Sequence, residues 1–346
     1  MNRPVQWVLL LAVVASGPAA AGLFMFAEGT DNLDPDPNRI TYPVGYTGQQ
    51  SEVAVSVCIH PDSESISDME IPLRNVLAVW NELEPVAGNL QRNDPRLASN
   101  EIDYESVLTH EVGHCIGLAH PNLASESDVP VEDQGYAKSL PGADGYTLDA
   151  GADGVIGTRD DQRGDDINLN WFRKGVNDPF VFEDVIDAST YTTDLSELPA
   201  GHAFVEIAAL QVSQLRGLSE EEAIMHQGSR RGATRRELAR NDATMIRLAQ
   251  SGLDRTQGTA DDFTLRLEYQ GIGDEDDCDI TVKTGGEDFA FCQVNAQLPA
   301  SDQALITQGR IFMGSTDNFN WHFNTELRAE PDTNQIFRDR FEQTPP

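Results

Sequence analysis

Basic residues are scarce in this chain. Lys and Arg number 24 against 57 Asp and Glu, a formal charge of −33. Such a chain has nothing with which to neutralise phosphates on a large scale, so nucleic acid is excluded as a partner. Long apolar runs are scarce too. After the first two dozen residues no stretch approaches the about 20 apolar positions that a membrane-spanning helix needs. No stable membrane association is therefore expected of the mature protein. Cysteines number four and aromatic residues make up 7%. That is too little cysteine for a disulfide-dense miniature scaffold, and enough for two bridges.

What is present is a globular composition, with 39% hydrophobic residues over 346 positions. That suits a core domain with an appended module. The N-terminus has the form of a secretory leader over residues 1–21. Arg3 supplies the positive charge, Val8 to Ala15 the apolar run, Gly17-Pro18 a break, and Ala19-Ala20-Ala21 the small residues for cleavage. The expected location is secreted and extracellular, or periplasmic, where disulfides form. Three pairings are open. The simplest joins Cys278 to Cys292, a local loop across two β-type stretches, and leaves Cys58 for Cys115.

Residues 22–50 read as an extended lead-in. Ser51 to Ile59 alternates as a strand does. Leu73, Val76, Leu77, Trp80 and Leu83 fall on one face of a helix over Met69–Leu83, with Ser67 or Asp68 as cap and Pro72 confined to its first turn. A second helix runs from Tyr104 to about Ala119. From 121 to about 200, Gly, Asp and Pro punctuate short apolar runs, the pattern of a long insertion. A helix is expected over Phe204–Leu215 and another over Asn241–Gln250, capped by Asn241 or Asp242 and stopped by Gly252. Beyond Asp261 five β-type stretches suggest a small antiparallel domain over 261–340. The segments Asp153–Asp161 and Asp254–Asp262 share the pattern D-x-x-x-G-T-x-D-D. Glycine for a sharp turn and clustered carboxylates make them Ca2+ candidates, although solvated Asp/Gly turns give the same pattern.

The chemistry concentrates in His110-Glu111-Val-Gly-His114-Cys-Ile-Gly117-Leu-Ala-His120. Helical positions i and i+4 lie about 40° apart around the axis and about 6 Å along it, so His110 and His114 can face one metal ion. Glu111 stands at the edge of that face, placed to reach water beside the metal. Gly117 can end the helix and turn the chain so that His120 approaches from another side. Three imidazoles leave one position of a tetrahedral zinc open, as in catalytic rather than structural sites.

The run HExxHxxGxxH resembles that of the metzincin zinc metallopeptidases. Ile102-Asp-Tyr-Glu-Ser-Val-Leu-Thr-His110 is most similar to the matrixin branch. The resemblance implies an α+β catalytic domain over 22–255: a twisted mixed sheet, a helix behind it, the zinc helix below, and a methionine turn under the metal. Ala223-Ile224-Met225-His226-Gln-Gly228 is the candidate turn, with Met225 as its supporting residue. The implied function is a secreted zinc endopeptidase acting on proteins or peptides, with zinc on His110, His114 and His120 and Glu111 as general base. The alternative is a non-catalytic extracellular binding or adhesion protein that carries zinc or calcium. Two spacings depart from the family. About 20 residues separate the first helix from the zinc helix, where matrixins place several strands, and 105 residues separate His120 from Met225. No cysteine precedes Cys58 after the leader, so latency through a propeptide cysteine is not expected.

Overall fold

A computed structural model describes residues 10–12, 23–27, 38–120, 185–193, 219–226 and 228–329, with Leu33, Asp34, Asp36, Lys174, Glu197, Leu210 and Gly217 beside them. In chain order the strands are β1 (Leu10–Ala12), β2 (Ile40–Tyr42), β3 (Glu52–Ile59), β4 (Gln91–Arg92), β5 (Ile102–Asp103), β6 (Ala233–Thr234), β7 (Thr264–Ile272), β8 (Ile280–Gly286), β9 (Ala290–Ala300), β10 (Gln303–Gly314) and β11 (Trp321–His322). The helices are α1 (Ile66–Glu82), α2 (Tyr104–Cys115) and α3 (Arg240–Gln250).

One mostly parallel sheet organises the described chain, in the order β1-β9-β10-β8-β3-β7, with β2 also on β10. The strands β2, β3, β7, β8 and β10 run parallel to their neighbours in this set, while β9 runs antiparallel to β10 and to β1. This corrects two expectations. The sheet is not the mixed one that the resemblance implies, and the strands after 261 do not form an antiparallel domain. They enter the sheet of β3: Glu52 to Ile59 pairs with Thr264 to Ile272, and Val57 to Ile59 pairs with Ile280 to Val282. Alternating hydrophobicity marks a strand without marking the direction of its partner. Between α1 and α2 lie only the short strands β4 and β5, outside this sheet, whereas four of its strands, β7 to β10, come from the C-terminal side of the sequence.

A parallel pair normally needs a crossover of a dozen or more residues. The link from β7 to β8, residues 273–279, is far shorter. It suffices because β8 begins level with Val57, near the end of β3, so the chain only steps across the strand end. Cys58 and Cys278 meet at this step and form a disulfide, and Cys115 bonds to Cys292. The expected pairs, Cys58–Cys115 and Cys278–Cys292, are thus replaced. A bridge joins residues that are adjacent in space, and the parallel step puts Cys278 beside β3 while α2 rests on β9.

Val53, Val55 and Val57 of β3 and Leu265 and Leu267 of β7 turn their side chains into the core. The helices α1 and α2 pack against each other; α1 covers β3 and β7, and α2 covers β9 and β10. Fully buried Trp80 of α1 donates its indole N–H to the Thr109 carbonyl, 3.0 Å away, which couples α1 to the middle of α2. Asn81 pins α1 to the sheet by bonding both the N–H and the carbonyl of Leu267, at 2.7 and 2.9 Å. The first helix starts earlier than its pattern suggests, at Ile66, so Pro72 lies inside it rather than in its first turn. The final helix starts at Arg240, because the Asp242 carboxylate reaches back to the Ala239 N–H at 3.0 Å. Residues 23–27, directly after the expected leader, are buried beside the end of α2, where Phe24 bridges Leu118.

Candidate metal centre

The site is built on α2, and α2 is fixed at its start. Asp103 caps it, accepting from the Ser106 N–H at 2.9 Å, and Arg236 clamps the same carboxylate. An acidic cap satisfies free N–H groups and complements the helix dipole. Two residues on, still in the first turn, Glu105 is held by Asn75 and Asn324. At the other end the helix stops after Cys115, and Gly117 takes φ +119°. That conformation suits glycine, but space matters as much: a Cβ there would lie 2.5 Å from the Thr41 carbonyl oxygen of β2. The chain therefore turns tightly against β2 and brings His120 back over the helix.

His110, His114 and His120 converge. Their Nε2 atoms lie 2.9 Å (His110–His120), 3.1 Å (His110–His114) and 2.9 Å (His114–His120) apart. They form the one cluster among the described residues whose donor atoms are grouped closely enough to hold a metal ion. The tautomers follow from the other ring nitrogens. The Nδ1–H of His110 donates to the Ile224 carbonyl at 2.7 Å, and that of His114 to the Leu118 carbonyl at 2.8 Å. Both Nε2 atoms are then lone-pair acceptors, and two acceptors at 3.1 Å repel rather than hydrogen-bond. A cation between them removes that conflict. Three nitrogens around a tetrahedral zinc at about 2.0–2.1 Å would be about 3.3–3.4 Å apart, close to the spacing present, and backbone carbonyls on Nδ1 are the usual outer partners of such ligands. The donor set fits zinc.

The electrostatics agree. Burial pushes the His114 imidazolium down to about 4, opposed by its bond to Leu118. Burial and the neighbouring imidazoles push His110 and His120 well below the ordinary histidine value. The rings are thus neutral at pH 7, the state that binds metal. Glu111 is 4% exposed and its Oε2 has no hydrogen-bond partner. Burial lifts its carboxyl to about 8, against a backbone N–H bond from Cys292.

Met225 lies in the turn 223–226 and packs under the helix: a Cβ on Gly113 would overlap its Sδ and come within 3.0 Å of Trp80. The turn is held by Asp242 of α3, whose carboxylate accepts from the N–H groups of Ile224 and Met225 at 2.7 and 3.2 Å. Burial raises Asp242 to about 6 in spite of these donors and that of Ala239. Asn89 bonds the backbone of Glu222 on both sides, at 2.8 and 3.0 Å. The carbonyl that orients His110 therefore belongs to a segment anchored from α3 and from the loop after α1. Glu222, Asn89 and the Cys292 N–H escaped sequence reading; Asp242 is expected as a helix cap, but its hold on the turn is not. The run Glu220-Glu221-Glu222 shortly before a cluster of arginines was the one signal that could have marked Glu222.

His226 stands near the triad, 3.7 Å from Glu222, but outside the three-ligand group. In the loop 254–262, Asp261 accepts from the N–H of Leu253 at 2.6 Å, Asp254 from that of Thr256 at 2.9 Å, and Asp262 from that of Gly258 at 2.6 Å. These carboxylates close their own turn. The copy at Asp153–Asp161, the body of the 121–200 insertion and most of the helix expected over 204–215 lie outside the described residues. A cleft of about 700 Å³ opens over the triad, with Phe289 to Cys292 and Arg230, Arg231 and Arg235 among its lining residues. No family model, no curated protein and no solved structure matches the chain.

Proposed function

We propose that the chain is a zinc-dependent endopeptidase of an oxidising, extracytoplasmic compartment, working through His110, His114, His120 and Glu111. The observation that carries the reading is the triangle of converging imidazole nitrogens in an open cleft, with an unpartnered carboxylate oxygen on the same helix. The two disulfides fit that compartment, and no helix among the described residues is long and apolar enough to cross a membrane.

Zinc bound there supplies Lewis acidity, polarising a carbonyl and acidifying water. The protein does the rest. His110 and His114 stay in one tautomer because Ile224 and Leu118 hold their Nδ1–H groups. Glu111 takes a proton from the attacking water and returns it to the leaving amine. Burial alone favours the carboxylic acid of Glu111; with zinc held by the three histidines its carboxylate would be favoured instead, the form that accepts a proton. The Cys292 N–H keeps the carboxylate from rotating out of reach.

The test is metal analysis of the purified protein together with digestion of a peptide library, with and without a chelator. Near-equimolar zinc and chelator-sensitive cleavage are expected. Glu111→Gln should keep the zinc and lose cleavage; full cleavage by that variant would refute the role of Glu111. Zinc without cleavage of any peptide would favour the non-catalytic binding protein instead.

A further inference from the structure

One wall of the cleft carries the opposite charge to the rest of the chain. The chain has 24 basic residues and a net charge of −33, yet Arg230, Arg231, Arg235, Arg236 and Arg240 fall within a single short stretch. Arg230, Arg231 and Arg235 line the cleft, next to the apolar side chains of Leu90, Ile102 and Val107. The wall is held in place. β6 pairs with β4 through Gln91↔Thr234 and Arg92↔Ala233, and the Gly232 N–H donates to the Glu101 carbonyl at 2.9 Å.

Two of the carboxylates that line the cleft, Asp103 and Glu222, are already engaged by arginine. Asp103 is clamped by Arg236. Buried Glu222 is shared by Arg230 and Arg235, at 2.7 and 2.6 Å, so one negative charge meets two positive ones. Arg231 is exposed and has no carboxylate partner among the described residues; its Nη1 donates to the Asn100 carbonyl at 2.7 Å. A guanidinium carries five N–H donors, so most of those on Arg231 remain for a ligand.

We infer that this wall selects substrates with an acidic side chain, Asp or Glu, beside the scissile bond. The inference rests on the peptidase reading and names the substrate class of that site. The aliphatic stem of the substrate residue lies on Leu90, Ile102 and Val107, and its carboxylate bonds Arg231 with Arg230 alongside. A neutral side chain in the same place shields the guanidinium groups from water and gives them nothing in return, which is how polar sites reject isosteres. The overall negative charge does not cancel the preference, because exposed charges beyond about 8 Å are screened at physiological salt.

The test has two parts. The zinc-loaded wild type is given a peptide library and its cleavage sites are sequenced; Asp and Glu should be enriched at one position flanking the cut. A peptide pair differing only by Glu or Gln at that position is then titrated into zinc-loaded Glu111→Gln protein by calorimetry. The Glu peptide should bind about tenfold tighter or more, the range of a charge-assisted hydrogen bond. Arg231→Glu in the same background should bring that ratio to one or below, with Arg231→Gln in between. Cleavage without acidic enrichment, or a ratio that Arg231→Glu leaves unchanged, overturns the specificity and leaves the peptidase standing. Absence of any cleavage overturns the peptidase reading and this inference with it.

Discussion

Two polar clusters in this protein look alike in sequence and differ in structure. The histidines of 110–120 and the aspartates of 254–262 are both short runs of metal-type side chains punctuated by glycine. In the first, outer backbone groups hold two rings so that the Nε2 lone pairs of His110 and His114 face one another, with the His120 Nε2 about 3 Å from both. In the second, each carboxylate bonds an N–H of its own turn. A donor group binds metal when its surroundings leave it nothing else to bond, and residue type alone does not decide that.

The comparison can be broken most severely at a ligand. His114→Ala should lower zinc affinity by more than the roughly 100-fold typical of losing an outer-sphere partner, read by chelator competition. Full zinc retention would mean that the triad is not the site. Next in size is the turn that delivers His120. Gly117→Ala must carry a positive φ and press on the Thr41 carbonyl, so it should cost about 3 kcal/mol in denaturant unfolding. A neutral result would show that β2 can retreat from the helix end.

Asp242→Ala acts at a distance. It strips three buried N–H groups of their acceptor, which should cost about 2–4 kcal/mol. Zinc should weaken about 10- to 100-fold as Ile224 releases His110, an effect that no stability loss elsewhere would produce. Glu222 sharpens the comparison through pH. Burial would raise its carboxyl, but His226, Arg235 and Arg230 overcome this and hold it at about 2. A depressed folded-state value stabilises above the unfolded value of 4.5 and is lost as pH falls through about 2. Stability should therefore decline between pH 4.5 and 2, and Glu222→Gln should flatten that part of the curve. The smallest effect belongs to the contrasting cluster. Asp261→Asn should leave zinc content unchanged and cost about 1 kcal/mol or less through the weakened turn.

The helical spacing of His110 and His114, the turning role of Gly117 and the burial of Met225 could be read locally, because each depends on residues within one turn of helix or on hydrophobicity. The strands after 261 were legible as strands for the same reason. Their partners were not. Nothing in the alternation of Leu265 and Leu267 says that they join Val53 and Val55 in parallel, and with that step unknown the disulfides went to the wrong partners. Asp242 was legible only as a helix cap and Asn89 not at all, because the tertiary role of a buried polar residue is recognised only by what it bonds.

The sequence by itself determined the donor set: three histidines, one glutamate and a glycine at the position where the chain must turn. Tertiary structure alone decided what those donors do. The Ile224 carbonyl chooses the tautomer of His110, Cys292 from β9 positions the glutamate, and Arg230, Arg231 and Arg235 join Phe289 and Phe291 in lining the cleft. Ligand spacing, and the orientation of His114 by the Leu118 carbonyl, are set by covalent and helical geometry within ten residues. The orientation of His110 and Glu111 and the charge of the cleft depend on segments about a hundred or more positions away, brought close only when the chain folds.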